Sequence, residues 1–347
     1  MYLKKIVLAV LAIGLIVCAV VAFKVYSAFF TPNTVFNSKE AFIFIASESN
    51  FEDVKISLKP LLDNMNSFES AAEKKGYASN VKGGKYAIKK GMNNNDIINT
   101  LRSKNLPVKL AFNNQETVAD LAGRVASQIE ADSISLLNAF NDVGFLTENG
   151  FNESTKLAMY IPNSYEFFWN TSAEKFRDRM LKEYKRFWND TRLVKAKALN
   201  LTPIEVATLA SVVHKETAKV EERPRVAGVY LNRLRDGILL QADPTVIYAL
   251  KLHSGDFNQI IKRVLYRDLE LDSPYNTYKY AGLPPGPIAM PDITAVDAVL
   301  SPEKHDYYYF VANVENFGYH KFAKTLAQHN RNKEQYVRWI NSQNINR

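Results

Sequence analysis

The residue with the most chemical promise is a glutamate at an apolar position. Thr202-Pro203-Ile204-Glu205, followed by VATLASVVHKETAKV, reads as a helix with a well-marked start. Thr202 suits the N-cap, Pro203 the first turn, and Glu205 completes a capping box. Steps of three and four residues place Val206, Leu209, Val213, Glu216 and Val220 on one stripe. Glu216 thus stands where the pattern requires a hydrophobe. A carboxylate there is costly unless it is paired, protonated or facing a cleft. Loss of water would raise its pKa to about 6, as in apolar catalytic pockets, which is what a general acid needs at neutral pH. A structural ion pair with Arg223, Arg233 or Arg235 is the competing reading.

The residues after this helix offer possible partners. Asp243-Pro244 reads as another helix start, with Asp243 as N-cap, and Thr245 follows in the same motif. Gln241 could face a strand edge or reach a sugar. Tyr275, Asn276 and Tyr278 lie in a loop bounded by proline and glycine. Rings that cover an apolar sugar face and amides that bond hydroxyls and acetamides suit a carbohydrate cleft, though ordinary loop packing uses the same residues. Pro284-Pro285-Gly286-Pro287 would stiffen the wall of that cleft. Glu166, in the aromatic run Tyr165 to Trp169, is the rival acid.

Other chemistries find no residues. The five histidines show neither H-x-x-H nor H-E-x-x-H spacing, and the single cysteine, Cys18, excludes a Cys-based zinc site and an internal disulfide. Gly83-Gly84-Lys85 is followed by Tyr86, not Ser or Thr, so no phosphate loop is present. The expectation is therefore no metal and no cofactor. The net charge of +8 admits nucleic acid, anionic lipid or an acidic polymer as partner. The densest basic run, Lys175 to Lys197, also carries Met180, Leu181, Tyr184, Phe187 and Trp188 at near-helical spacing. It reads as one helix with a wet basic face, not a nucleic-acid groove.

These residues need a scaffold and a compartment. A chain of 347 residues with 47% hydrophobic content suits an anchor plus two folded units. Ile6 to Phe23 is uncharged and apolar, nearly long enough to cross a hydrocarbon core, and Val25 to Phe30 could extend it. Lys4 and Lys5 ahead of it favour a cytoplasmic N-terminus. An uncleaved anchor fits better than a signal peptide, because no small-residue cleavage site ends the run. A lipoprotein signal at Cys18 is weaker still, with bulky Val17 before it.

Thr31-Pro32-Asn33 ends the apolar segment. Residues 41–46 read as a strand, Asn50 to Asn66 as a helix broken near Pro60, Gly84 to Ile88 as a strand and Lys89-Lys90-Gly91 as a turn. Asn95 suits the cap of a helix through Leu101, Val108 to Phe112 reads as a strand, and Thr117 suits the cap of a helix through Val125. Tyr160 to Trp169 reads as an aromatic loop. The fold class is α+β.

A series of ordered motifs then carries a resemblance. It comprises His214-Lys215-Glu216-Thr217, Glu222-Arg223-Pro224-Arg225, Val229-Tyr230-Leu231-Asn232-Arg233, Gln241-Ala242-Asp243-Pro244-Thr245, Tyr275-Asn276-Thr277-Tyr278, Gly282-Leu283-Pro284-Pro285-Gly286 and Tyr309-Phe310-Val311-Ala312. Together they closely resemble the YceG/MltG family of endolytic murein transglycosylases across most of residues 155–340. A weaker likeness over 37–110 resembles that family's LysM-like subdomain. The resemblance implies a transmembrane anchor at 1–30, a LysM-like subdomain at 31–110 and a catalytic domain at 111–347. It implies a single-pass inner-membrane protein with that domain on the periplasmic side.

The family's catalytic glutamate is the second one of E-K-E-T, here Glu216; His214 replaces the first. Gln241, Asp243, Thr245, Tyr275, Asn276 and Tyr278 are the implied substrate contacts. His320, His329 and Asn330 match without an assigned role. The implied reaction cleaves the MurNAc–GlcNAc bond of nascent strands to 1,6-anhydro ends and so ends elongation. The implied partners are peptidoglycan glycan strands and peptidoglycan synthases. A catalytically silent glycan-binding scaffold is the alternative, raised by His214. A cytoplasmic pyridoxal phosphate lyase would need a Schiff-base lysine and conflicts with the apolar N-terminus.

Overall fold

The structure, a computed structural model, describes residues 2–342. The chain divides into two compact units. One runs to Leu110 and takes in Ser127–Ala131 and Tyr165–Ser172; the other is Ala111–Ala126, Asp132–Ser164 and the chain from Ala173.

The first unit begins with helix α1 (Tyr2–Phe30), long and apolar enough to cross a membrane. It is followed by strand β1 (Glu40–Ile45), helices α2 (Phe51–Leu58) and α3 (Met65–Lys74), strand β2 (Gly84–Lys89) and helix α4 (Asn94–Ser103). β1 and β2 pair antiparallel, with Ile43 opposite Tyr86. Ile43, Ile45, Tyr86 and Ile88 alternate inward onto Val54, Leu58, Phe68, Ile97 and Leu101, the period-two pattern of a half-buried sheet. The break near Pro60 is present: α2 stops at Leu58 and α3 restarts after Asn64. Asn95 is not the cap of α4. Asn93 is, accepting from the Asp96 N–H at 2.9 Å.

The last turn of α1 belongs structurally to this unit. Asn94 Nδ2 donates to the Ala28 carbonyl at 2.7 Å, and Phe29 packs on the core.

Strands β3 (Pro107–Phe112) and β4 (Asn163–Phe168) pair with each other. β4 corrects the aromatic loop expected there. Tyr165 and Phe167 point inward while Glu166 and Phe168 are exposed, the alternation of a strand.

The second unit is mainly helical. It contains α5 (Val118–Ala126), α6 (Ser133–Phe140), α7 (Val143–Glu148), α8 (Ala173–Phe187), α9 (Asp190–Ala198), α10 (Pro203–Glu216), α11 (Arg223–Arg235), α12 (Asp243–Ser254) and α13 (Ile293–Leu300). It ends with hairpin β5 (Tyr309–Ala312) and β6 (His320–Ala323) and helix α14 (Leu326–Ser342). Thr117 caps α5 as expected, accepting from the Asp120 N–H at 3.0 Å. The single basic helix is instead two, α8 and α9. Trp188 turns into the core, 5% exposed, and Asn189 caps α9 by accepting from the Arg192 N–H.

α10 is the central element, packed on α11, α12 and α13. Val206, Leu209, Val213, Val226, Tyr230, Val296 and Val299 form much of its core. The Thr202–Glu205 capping box is present in both directions. The stripe is shorter than expected, because α10 ends at Glu216 and Val220 lies exposed in the following 3-10 turn.

Candidate active site

Glu216 is the last residue of α10 and lines a cleft of about 630 Å³. The helix delivers it there because the preceding turns are anchored in the core. Its carboxylate is only partly buried. The Tyr230 hydroxyl donates to Glu216 Oε1 at 2.5 Å. Tyr230 itself is 1% exposed on α11, so this donor is fixed.

The competing ion-pair reading fails on geometry. Arg223 is bound to Asp292, Arg235 to Asp236, and Arg233 to backbone carbonyls of Tyr308, Leu239 and Leu240. Among the described residues no lysine or arginine forms an ion pair with Glu216. Burial pushes its pKa up to about 7, and the negative charge of Asp243 adds to this, against the Tyr230 hydroxyl, Arg233 and, when its ring carries a second proton, His320. A carboxylic acid titrating there can give up a proton at neutral pH and take one back.

The structure brings three of the six expected substrate contacts to the same cleft: Gln241, Asp243 and Tyr278. Asp243 is not the N-cap of α12; Ala242 holds that place and Asp243 is the first helical residue. Its side chain instead accepts from the Tyr278 hydroxyl at 2.6 Å. Gln241 is exposed and adopts φ +51°, a left-handed backbone that costs a non-glycine residue about 1 kcal/mol or more. Its N–H donates to the Thr277 carbonyl at 3.0 Å, which helps hold that shape.

The other three are placed behind the wall. Thr245 is fully buried and donates to the Ala242 carbonyl at 2.7 Å, while its oxygen lies 2.8 Å from the Thr277 hydroxyl. Asn276, also buried, donates to the Leu269 and Leu271 carbonyls, both at 2.8 Å, and accepts from the Tyr278 N–H. Tyr275 packs against Tyr248 with ring centroids 4.7 Å apart. These residues shape the loops that present Gln241 and Tyr278. The rival acid Glu166 lies on the exposed side of β4, in the other unit.

His214 does not share the cleft. It sits about 200° around α10 from Glu216, with Nδ1 3.1 Å from Asp292, and burial lowers its pKa. Its presence in place of a glutamate therefore leaves the immediate surroundings of Glu216 untouched. Sequence reasoning gave Tyr230 no site role and considered Arg233 only as an ion-pair partner of Glu216. Arg233 is 7% exposed, lines the cleft and stacks over Tyr309 at 5.1 Å. Its several carbonyl acceptors left no local signal.

A profile of the YceG-like family matches residues 43–335. A Bacillus subtilis protein named endolytic murein transglycosylase is 32% identical over 314 residues, covering 85% of this chain and 84% of that one. A Streptococcus pneumoniae protein of the same name is 35% identical over 183 residues, covering 51% of this chain and 31% of the longer relative. The crystal structure of a YceG-like protein from Listeria monocytogenes superposes with a TM-score of 0.57 at 30% identity, covering 85% of this chain and 99% of that one. With a match that spans most of its length and includes the segment carrying Glu216, the chain belongs to the YceG-like family.

Proposed function

We propose that this chain is an endolytic peptidoglycan lytic transglycosylase with Glu216 as its acid and base. The observation that carries the reading is the setting of Glu216: in a cleft, in no ion pair with a lysine or arginine among the described residues, and raised to about 7. Protonated Glu216 gives its proton to the glycosidic oxygen between MurNAc and GlcNAc as the C1–O bond breaks. The MurNAc C6 hydroxyl attacks C1 of the same sugar, and the Glu216 carboxylate takes the hydroxyl proton. The enzyme returns to its starting state and the strand ends in 1,6-anhydroMurNAc. Most glycosidases need two carboxylates because water or the enzyme attacks. Here the substrate supplies the nucleophile, so one suffices. Acting on nascent strands beside peptidoglycan synthases, this cleavage would terminate elongation.

The test is incubation of the protein with purified glycan strands, followed by mass spectrometry. Anhydro-ended fragments of internal length are expected. Reducing ends in place of anhydro ends would indicate hydrolysis. No cleavage at all would favour the silent scaffold.

The β1-α2-α3-β2 order supports reading residues 31–110 as a LysM-like module beside a catalytic domain at 111–347. α1 serves as a single-pass anchor, and Lys4 and Lys5 favour the catalytic domain outside the cytoplasmic membrane, on the periplasmic side. Removing residues 1–24 is expected to release a protein that still cleaves glycan in vitro. The deletion stops before Ala28 and Phe29, which are tied into the first unit. In the cell that form should fail, since anchoring raises the effective concentration at new strands. Full complementation by the released form would show the anchor to be dispensable.

A further inference from the structure

Glu222 is a carboxylate that the reaction above does not use, and it is 5% exposed. It closes the 3-10 turn Val220–Glu222 that follows α10. Its Oε1 accepts the His320 backbone N–H at 2.8 Å, and its Oε2 lies 2.7 Å from His320 Nδ1. The Thr217 hydroxyl, next in sequence to Glu216, is close enough to the same carboxylate to help lower its pKa. Burial raises the Glu222 pKa, but these hydrogen bonds outweigh it and hold the group below the usual range. An ionised carboxylate only accepts, so Nδ1 must carry the hydrogen. In the neutral ring Nε2 is then an acceptor.

His320 lines the same cleft as Glu216. Its ring meets the edge of Phe310, another cleft residue, with centroids 5.0 Å apart. Among the described residues Nε2 has no protein partner, and it is not among the sealed polar atoms. A carboxylate needed only to bolt β6 to the turn would be served by the His320 backbone N–H. The imidazole adds one fixed tautomer and one acceptor turned to the substrate space, the arrangement by which a buried carboxylate orients a working histidine.

We propose that His320 contacts the glycan directly, its Nε2 accepting a hydrogen bond from a sugar hydroxyl beside the bond that Glu216 protonates, and that Glu222 is its positioning residue. This rests on the proposed reading of the Glu216 site. Nε2 thereby orients the sugar, while the proton transfers remain with Glu216.

The experiment compares His320→Asn and His320→Gln in the full chain, in detergent, on purified glycan strands. Asparagine keeps an amide near the Nδ1 position and can still bond Glu222, but it leaves the Nε2 position empty. Glutamine reaches the Nε2 position. Asn is expected to lower kcat by about 10²-fold, the order of loss when the reacting group is no longer held in position, with wild-type thermal unfolding. Gln should recover about tenfold of it. A purely structural His320 gives the reverse order, or losses that track the unfolded fraction, and either overturns the proposal. Should both variants unfold, Glu222→Gln decides. Its amide N–H makes Nδ1 the acceptor and Nε2 the donor with the ring in place. A drop of about 10-fold or more with normal folding supports the proposal, and an unchanged kcat overturns it. A wild-type protein that cleaves no strand would instead remove the reading of the Glu216 site itself.

Discussion

Glu216→Gln is expected to abolish glycan cleavage while making the protein more stable above pH 7. The folded-state pKa of about 7 stands above the ordinary 4.5. The folded protein therefore holds this proton more tightly than the unfolded chain does. Below about pH 4.5 the carboxyl is neutral in both states and carries no penalty. Between 4.5 and 7 the unfolded chain ionises first and stability is lost, and above 7 the loss is complete. At about 1.4 kcal/mol per pKa unit the difference is up to roughly 3 kcal/mol, an upper bound because the carboxylate keeps one face on the cleft. Glutamine carries no such penalty, and its carbonyl can still accept from Tyr230. The variant should thus exceed wild type in urea unfolding at pH 8 and match it near pH 4.

Activity moves the other way. Loss of the acid/base is worth about 10²- to 10⁴-fold, and wild-type cleavage should itself fall as pH rises through about 7. A variant less stable than wild type at pH 8 would mean that Glu216 is held ionised by a partner. Near-normal cleavage would move the proton donor elsewhere in the cleft, with Asp243 the next residue to replace.

How far this site could be read ahead of its geometry depends on the range of the interactions. The Thr202–Glu205 box is complete within four residues, so it was legible, and with it the helix that delivers Glu216. β4 was missed because Pro162-Asn163-Ser164 reads as loop punctuation and masks the inward alternation of Tyr165 and Phe167. The break at Trp188 depends on where a ring finds a core, which helical spacing cannot show. Thr245, Tyr275 and Asn276 have the right chemistry for sugars, but the same hydroxyls, rings and amides also brace buried loops. Their role is decided by Thr277, Tyr248 and the Leu269 and Leu271 carbonyls. The Tyr230 donor lies fourteen residues from Glu216 on another helix. It is not recoverable from periodicity, nor is the absence, among the described residues, of an ion pair at Glu216.

Arg233→Met should cost about 3 kcal/mol of stability and move the alkaline limit of any remaining cleavage upward. Methionine fills much of the stem's space but donates nothing. Arg233 Nε donates to the Tyr308 carbonyl at 2.6 Å, and Nη1 to those of Leu239 and Leu240 at 3.0 and 2.9 Å. Each buried carbonyl left unpaired costs about 1–3 kcal/mol. Part of the sum is offset because the guanidinium no longer has to be buried. The cation over Tyr309 is lost as well. These bonds also frame residues 239–241, where Gln241 holds its left-handed φ of +51°. Without them that backbone is free to relax, and the Gln241 side chain leaves its place in the cleft.

The pH effect has a separate cause. The positive charge of Arg233 lowers the Glu216 pKa, so its removal leaves Glu216 protonated to higher pH. Arg233→Lys keeps the charge but offers a single ammonium in place of the planar fork, and cannot reach all three carbonyls at once. Lysine should therefore restore the pH profile more fully than the stability. Urea unfolding and a pH–rate series on all three proteins separate the two effects. A methionine variant within about 0.5 kcal/mol of wild type, a typical surface-level cost, would show that Arg233 does not hold the loop. A lysine variant with full stability but the methionine variant's pH limit would show that its charge does not act on Glu216.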